Sequence, residues 1–471
     1  MFSKNVIPYY TIIIMCFFMF FAQKIISQTI QFTMPKEETE HEGTWLQWPH
    51  QYEYGITYRN RLDATWVAIT KALVTNEKVH IIAYNATEQS RITNLLTAAN
   101  VPLANIDFYL FPTNDVWVRD NGPVFVFDNN DVMYIEDWGF NGWGGKFNYN
   151  KCNPIPTYVG NSTGINVIDL NSVMVLEGGA IEIDGNGVLM ATKSSILSQS
   201  PPNSVRNPGM SVAQAESFFT QYLGVNKFIW LDGVAGDPDD VTDMHIDGFA
   251  KFTNDSIIVT MNTADLTYWG VPSSDINILY NSTNINGKPY SFVFLPLTQN
   301  NVVTTYGNNL GYKGSYVNYY IANKVVLVPN YNDPNDVVAN SIIQNLYPNR
   351  NVIGIDCRNL YENGGMVHCV TQQQPQSSNQ MGLNNQKINK TSINIYPNPA
   401  SSSISVNFTT FINNGELIIY NVYGKEVKRI SNISGQEITF EINLSSGMYF
   451  LSLIKGDENI LVKKFLIVSD R

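Results

Sequence analysis

From about Gln28 to Pro375, short apolar runs alternate with segments whose apolar residues recur every three or four positions. Leu62, Trp66, Ile69 and Leu73 fall on one helical face, and Val79-His80-Ile81-Ile82-Ala83 then reads as a buried strand. The same pairing recurs as a helix over Ala213 to Tyr222 followed by a strand over Lys227 to Leu231. Further on, Lys324 to Pro329 reads as strand, Asp336 to Leu346 as helix and Val352 to Ile355 as strand. Such alternation predicts an α/β domain. No exact sequence repeat accompanies it. Gln376 to Asn389 has almost no apolar pattern and is rich in Gln, Ser and Asn, as a linker would be. From Ile393 the texture becomes all-β: a Tyr396-Pro397-Asn398-Pro399 turn, the alternation Ile404, Val406, Phe408, then runs at Leu417–Tyr420, Ile438–Ile442, Met448–Leu453 and Val462–Val468. That spacing predicts a small β-sandwich.

The amino terminus follows another pattern. Lys4 precedes an apolar stretch from Val6 to Ala22, broken early by Pro8, Tyr9, Tyr10 and Thr11, and polar residues follow to Ser27. The uninterrupted apolar part is about a dozen residues, short of the ~20 that span a bilayer but suited to a signal peptide. The expected organisation is therefore a signal peptide over 1–27, a catalytic-sized domain over 28–375, a linker over 376–392 and a β domain over 393–471.

Length and composition narrow the function. The chain has 471 residues, 44% of them hydrophobic, with 29 Lys+Arg against 40 Asp+Glu. A net charge of -11 without a dense basic block argues against nucleic-acid binding. Of four cysteines, Cys16 would leave with the signal, and the odd remainder of Cys152, Cys357 and Cys369 leaves at least one thiol unpaired within the chain. No zinc spacing occurs and there are only 5 histidines, so no structural metal is expected.

Four segments carry polar residues that structure alone would not require. Trp117-Val118-Arg119-Asp120-Asn121-Gly122-Pro123 precedes the apolar run Val124–Phe127, and its Gly-Pro turn puts Asp120 at a strand mouth. Leu176-Glu177-Gly178-Gly179-Ala180 sets an acid beside two glycines that permit close backbone approach. In Asp243-Met244-His245-Ile246-Asp247-Gly248-Phe249, read as strand, His245 and Asp247 share a face. Asn363 to Gln373 brings Cys369 to the end of a short strand. Each has a plainer reading: a turn-capping Asp120, a β-bulge at the glycines, an ion pair of His245 with a carboxylate, a buried structural Cys369. Together they supply a thiol, an imidazole and three carboxylates. Carboxylates would hinder thiolate formation unless the substrate is itself a cation, and a planar guanidinium matches carboxylates bidentately.

These segments, with His41-Glu42-Gly43-Thr44-Trp45-Leu46-Gln47-Trp48-Pro49, Ser315–Asn323 and Val328-Pro329 … Asp333-Pro334, resemble the agmatine deiminase/bacterial peptidylarginine deiminase family over about residues 31 to 375. The resemblance implies a five-bladed α/β propeller that needs no metal or organic cofactor. It implies Cys369 as nucleophile, His245 as general acid/base, Asp120 and Asp247 as guanidinium-binding acids and Glu177 as a further active-site acid. Trp117 and Asn318 match positions expected near the substrate. Gly248 stands where Asn is expected after the His-x-Asp motif, and Phe140–Lys146 lacks an acidic continuation common in the family. The implied activity is conversion of agmatine to N-carbamoylputrescine and ammonia. The alternative is deimination of peptidyl-arginine, which a rim cation able to hold a peptide carboxylate would favour; Lys146 and Arg206 are the candidates. A catalytically inactive binding protein on the same scaffold is the remaining reading. The tail, through Tyr396-Pro397-Asn398-Pro399-Ala400, Val422-Tyr423-Gly424, Gly447-Met448-Tyr449 and Lys463-Lys464-Phe465, is similar to type IX secretion sorting domains. It implies the secretion machinery as partner and release at the surface of a Gram-negative, Bacteroidetes-type bacterium.

Overall fold

The computed structural model describes residues 31–197, 206–377, 393–421, 425–455 and 458–468. The expected signal peptide lies outside the described residues, as does the expected linker from 378 to 392. The chain divides into two compact units, Met1–Met381 and Gly382–Arg471.

In the first unit the described strands form five small sheets with one recurring plan. An inner strand pairs antiparallel with a middle strand, and the middle strand pairs parallel with an outer one. Val124–Phe127, Met133–Gly139 and Asn166–Val175 make one such sheet, with the helix Ile155–Thr163 as crossover. Ile181–Ile183, Val188–Thr192 and Lys227–Leu231 repeat it with the helix Val212–Leu223. Ala250–Phe252, Ile257–Thr260 and Ser291–Phe294 repeat it again, as do Tyr320–Ala322, Val325–Asn330 and Asn351–Asp356. The fifth sheet joins the two ends of the unit. Its inner strand Gln372–Pro375 lies antiparallel to His41–Gln47, which pairs parallel with Lys78–Ala83, and that strand with Ile106–Leu110.

The helices form where the apolar spacing places them. In Gln51–Leu73 the side chains of Leu62, Trp66, Ile69 and Leu73 are all fully buried, and Trp66 Nε1 donates to the Gln47 main-chain oxygen at 2.8 Å. Each such burial stabilises by roughly 1.5–3 kcal/mol. Val212–Leu223 starts at a reciprocal Ser211/Gln214 capping box and stops at left-handed Gly224, which explains its sharp ends.

The second unit is all-β. Ser403–Asn421 pairs with Glu426–Glu441 on one side; on the other it pairs first with Ile393–Tyr396 and then with Gly447–Lys455. Where a small β-sandwich is expected, the described strands are linked in one five-stranded sheet. Register shifts between Asn407 and Leu417 bend its longest strand, and Ile404, Val406, Phe408, Leu417, Ile419, Leu451, Leu453 and Phe465 form its core.

Candidate active site

Four of the five inner strands are preceded by a short helical turn. The helical turn Val118–Asn121 precedes Val124–Phe127 and carries Asp120; the 3-10 turn Gly178–Ala180 follows Glu177 and precedes Ile181–Ile183. Ile246–Gly248 follows His245, carries Asp247 and precedes Ala250–Phe252. Asn318 lies just before Tyr320–Ala322, and His368–Val370, carrying Cys369, comes just before Gln372–Pro375. Five corresponding positions therefore supply the candidate residues, although the chain has no repeated motif. Two local expectations need correction. Neither the His245–Asp247 segment nor Cys369 lies in a strand; Asp247 and Cys369 occupy 3-10 turns, and His245 precedes the first of them.

The side chains form one buried cluster. His245 Nε2 is 2.8 Å from Glu177 Oε2, and its Nδ1 is 3.6 Å from Asp120 Oδ1. Glu177 accepts Arg206 Nε on both oxygens, at 2.7 and 2.8 Å. Asp120 accepts Trp143 Nε1 at 2.9 Å and the Gly179 amide at 3.1 Å. A Cβ on Gly179 would lie 2.7 Å from His245 Nδ1, 2.8 Å from Asp120 Oδ1 and 3.1 Å from Asp247 Oδ2. The missing side chain thus lets one imidazole and two carboxylates close in on the glycine. Half-buried Cys369 has its Sγ 3.8 Å from Asp247 Oδ2. Asn318 Nδ2 donates to Sγ at 3.4 Å and to the Asp247 main-chain oxygen at 3.2 Å, while its Oδ1 accepts the His368 amide at 3.0 Å. Half-buried Trp117 lies against Gly365, where a Cβ would be 2.1 Å from the ring.

Burial and charge set the protonation states. Burial alone would lower the His245 imidazole, but the Asp120 charge, the Glu177 hydrogen bond and charge, and Asp247 push it up to about 9. Burial, reinforced by Asp247 and Asp120, holds the Cys369 thiol well above its usual range. Burial also raises Asp120, with Glu177 and Asp247 adding to it against His245. For Glu177 and Asp247 burial is outweighed, by Arg206 and His245 in the first and mainly by His368 and His245 in the second, so both carboxyls stay below their usual range. Burial and the neighbouring carboxylates therefore keep the thiol protonated. A cation placed among these carboxylates would offset their charge and favour the thiolate.

Several residues of the cluster were not anticipated. Arg206 and Lys146, considered as rim cations, both bind Asp243 Oδ2, at 2.6 and 2.9 Å, and Arg206 is buried under Glu177. Neither is free for a substrate carboxylate. Asp243 and Met244 both have left-handed backbone, φ 58 and 71, immediately before His245, a strained approach for residues with side chains. Asp243 is held there by Arg206, Lys146 and the Gly236 amide. Trp143 lies in the Phe140–Lys146 segment already singled out, whereas the Arg206–Glu177 pairing spans 29 residues and leaves no local signal.

Residues 33–375 match the family model described as Porphyromonas-type peptidyl-arginine deiminase, and residues 394–468 match the secretion system C-terminal sorting domain. An agmatine deiminase of Pseudomonas aeruginosa is 30% identical, the match covering 73% of this chain and 95% of that protein. Among solved structures, an agmatine deiminase of Enterococcus faecalis is 26% identical with a TM-score of 0.64, covering 74% of this chain and 96% of the other. A Porphyromonas gingivalis protein named provisionally as an arginine deiminase is 31% identical with a TM-score of 0.62, covering 74% and 99%.

Proposed function

The chain belongs to the Porphyromonas-type peptidyl-arginine deiminase family, and on that premise we propose that it is an exported hydrolase that deiminates agmatine to N-carbamoylputrescine and ammonia. The observation that carries this is the convergence of Asp120, Asp247 and His245 over Gly179, with the Cys369 thiol 3.8 Å from Asp247 Oδ2. Two carboxylates there suit the N–H edges of a guanidinium.

In this reading the Cys369 thiolate attacks the guanidino carbon and forms a C–S bond. His245 is oriented through Nε2 by Glu177, so Nδ1 is the nitrogen turned to the reaction. It protonates the departing nitrogen, the C–N bond breaks and ammonia leaves. His245 then takes a proton from a water that adds to the amidino-cysteine. Collapse of that adduct breaks the C–S bond, releasing the ureido product and the thiolate. Asp120 and Asp247 hold the cation throughout, and Asn318 and Trp117 line its approach.

Peptidyl-arginine is the second reading, favoured by the family description and by export. The engagement of Arg206 and Lys146 with Asp243 speaks for a substrate without a carboxylate. We read the five sheets as blades of a propeller around the site, supported by the corresponding positions just before their inner strands. The proposed boundaries are a signal peptide over 1–27, deiminase domain over 28–375, linker over 376–392 and sorting domain over 393–471. The tail supports export by the type IX route of a Bacteroidetes-type cell, to its surface or surroundings.

Incubating the purified protein with agmatine, free arginine and an arginine-containing peptide, and measuring ammonia and ureido product, tests the reading. Agmatine should be turned over fastest, and Cys369→Ser should abolish turnover while leaving the melting temperature unchanged. Ammonia release from none of the three would overturn it.

A further inference from the structure

The reaction outlined above uses His245 and leaves a second buried imidazole unexplained. His368 directly precedes Cys369 and is 2% exposed. Its Nδ1 is 2.8 Å from Asp247 Oδ2 and its Nε2 is 2.8 Å from Glu37 Oε2. Glu37 is fixed in turn by Lys251 Nζ on Oε2 at 2.8 Å and by the Ile321 amide on Oε1 at 2.7 Å. The ring's main chain is tied down as well, its amide to Asn318 Oδ1 at 3.0 Å and its oxygen to Arg119 Nε at 3.4 Å.

We propose that His368 and Glu37 are positioning residues of the deimination, together holding the Asp247 carboxylate in the orientation that receives the guanidinium. Burial opposes the charged form of Glu37, but Lys251 and His368 hold it well below the usual range, and Asp247 is also held below. The ring is thereby gripped from both sides, by Asp247 on Nδ1 and by Glu37 on Nε2. The oxygen it fixes, Asp247 Oδ2, is the one that closes on Gly179 beside His245 and Asp120 and lies 3.8 Å from Cys369 Sγ. One contact thereby sets a carboxylate oxygen against substrate and thiol at once. A carboxylate left to rotate would lose the geometry on which attack depends. Glu37 brings the turn just before His41–Gln47 into the support of the site.

This inference rests on the deiminase reading, and the experiment separates the two. His368→Phe, His368→Asn and Glu37→Gln are compared with wild type on agmatine, free arginine and an arginine-containing peptide, with melting temperatures. Asn places an N–H near the former Nδ1 and nothing near Nε2. His368→Phe should lower kcat/KM by at least ~100-fold, with at least ~10-fold of that in KM, and Asn should recover at least ~10-fold of the loss. Glu37→Gln, nearly isosteric, should raise KM about fivefold. A merely structural role would reduce active enzyme and so lower kcat at constant KM. The proposal is overturned by unchanged KM in the folded variants, or by His368→Asn performing no better than His368→Phe. Should the Phe variant not fold, KM in His368→Asn and Glu37→Gln decides alone. A wild type inactive on all three substrates overturns the deiminase reading itself.

Discussion

Glu177 Oε2 lies 2.8 Å from His245 Nε2 while both Glu177 oxygens hold Arg206 Nε, so one buried carboxylate orients and charges the imidazole while its own charge is secured from behind. Such an arrangement keeps Glu177 an acceptor and makes the ring present Nδ1 to Asp120.

The raised imidazole predicts a pH dependence of stability. His245 is pushed up to about 9 from an ordinary 6.5. A group raised on folding contributes stability that is fully present below the unfolded value and is lost as pH rises through the folded one. The contribution is roughly 3 kcal/mol, lost between about pH 6.5 and 9. Glu177→Gln removes one of its causes, so urea unfolding of the variant should lose less stability across that window than wild type. Thiols titrate in both proteins and cancel in the comparison. Parallel slopes would show that Glu177 does not charge His245.

Gly179 gives a steric prediction. A Cβ there would meet His245, Asp120 and Asp247 at 2.7–3.1 Å, closer than real Cβ contacts, so one of the three must shift. A displacement of about 1 Å in such a site costs on the order of 100-fold. Gly179→Ala should therefore lose about that much in kcat/KM while melting near the wild-type temperature. Full activity in this variant would mean that turnover does not depend on how His245, Asp120 and Asp247 converge over Gly179.

Some of this architecture was legible in the chain and some was not. Leu62, Trp66, Ile69 and Leu73 announce their helix because burial on one face imposes a period of 3.6, and all four are buried. The segments around Asp120, Glu177, His245 and Cys369 stood out as polar residues amid apolar runs, and the structure gathers them into one cluster. Their local conformation did not show, because a 3-10 turn of three residues is too short to display a period. The five-sheet plan was hidden for a related reason: its repetition lies in strand direction and turn position, which divergent side chains satisfy equally well. Arg206, Glu37 and His368 act through pairings 29 to 331 residues apart, and nothing local reveals those partners.

The two units predict separable behaviour. A chain ending at Met381 keeps every residue of the cluster and should retain wild-type kcat/KM after purification. In its native host the same truncation should accumulate in the cell envelope, as the sorting domain is missing. Release of the truncated enzyme into the medium would deprive the tail of that role, and lost turnover would show that catalysis needs both units.

Asp120 and Asp247 predict effects of opposite sign on catalysis and on thiol reactivity. Replacing either by Asn keeps the shape but removes a charge-assisted contact to the guanidinium, worth roughly 1.5–3 kcal/mol, with a further cost for a cation left partly unpaired. The expected fall in kcat/KM is at least ~100-fold, since each 1.36 kcal/mol is a factor of ten. The empty enzyme should respond the other way. After burial, Asp247 and then Asp120 are what hold the Cys369 thiol high, so either substitution should lower it and increase the thiolate fraction at pH 8. Cys152 and Cys357 are buried in apolar cores and slow to react, which leaves half-buried Cys369 as the thiol that a neutral alkylating reagent reaches in the folded protein. Iodoacetamide should accordingly modify Asp247→Asn faster than wild type while the variant turns over agmatine more slowly. Agmatine should also protect the variant less well. If alkylation and turnover fell together, the aspartates would be supporting the thiol rather than opposing it, and substrate charge would not be what activates Cys369.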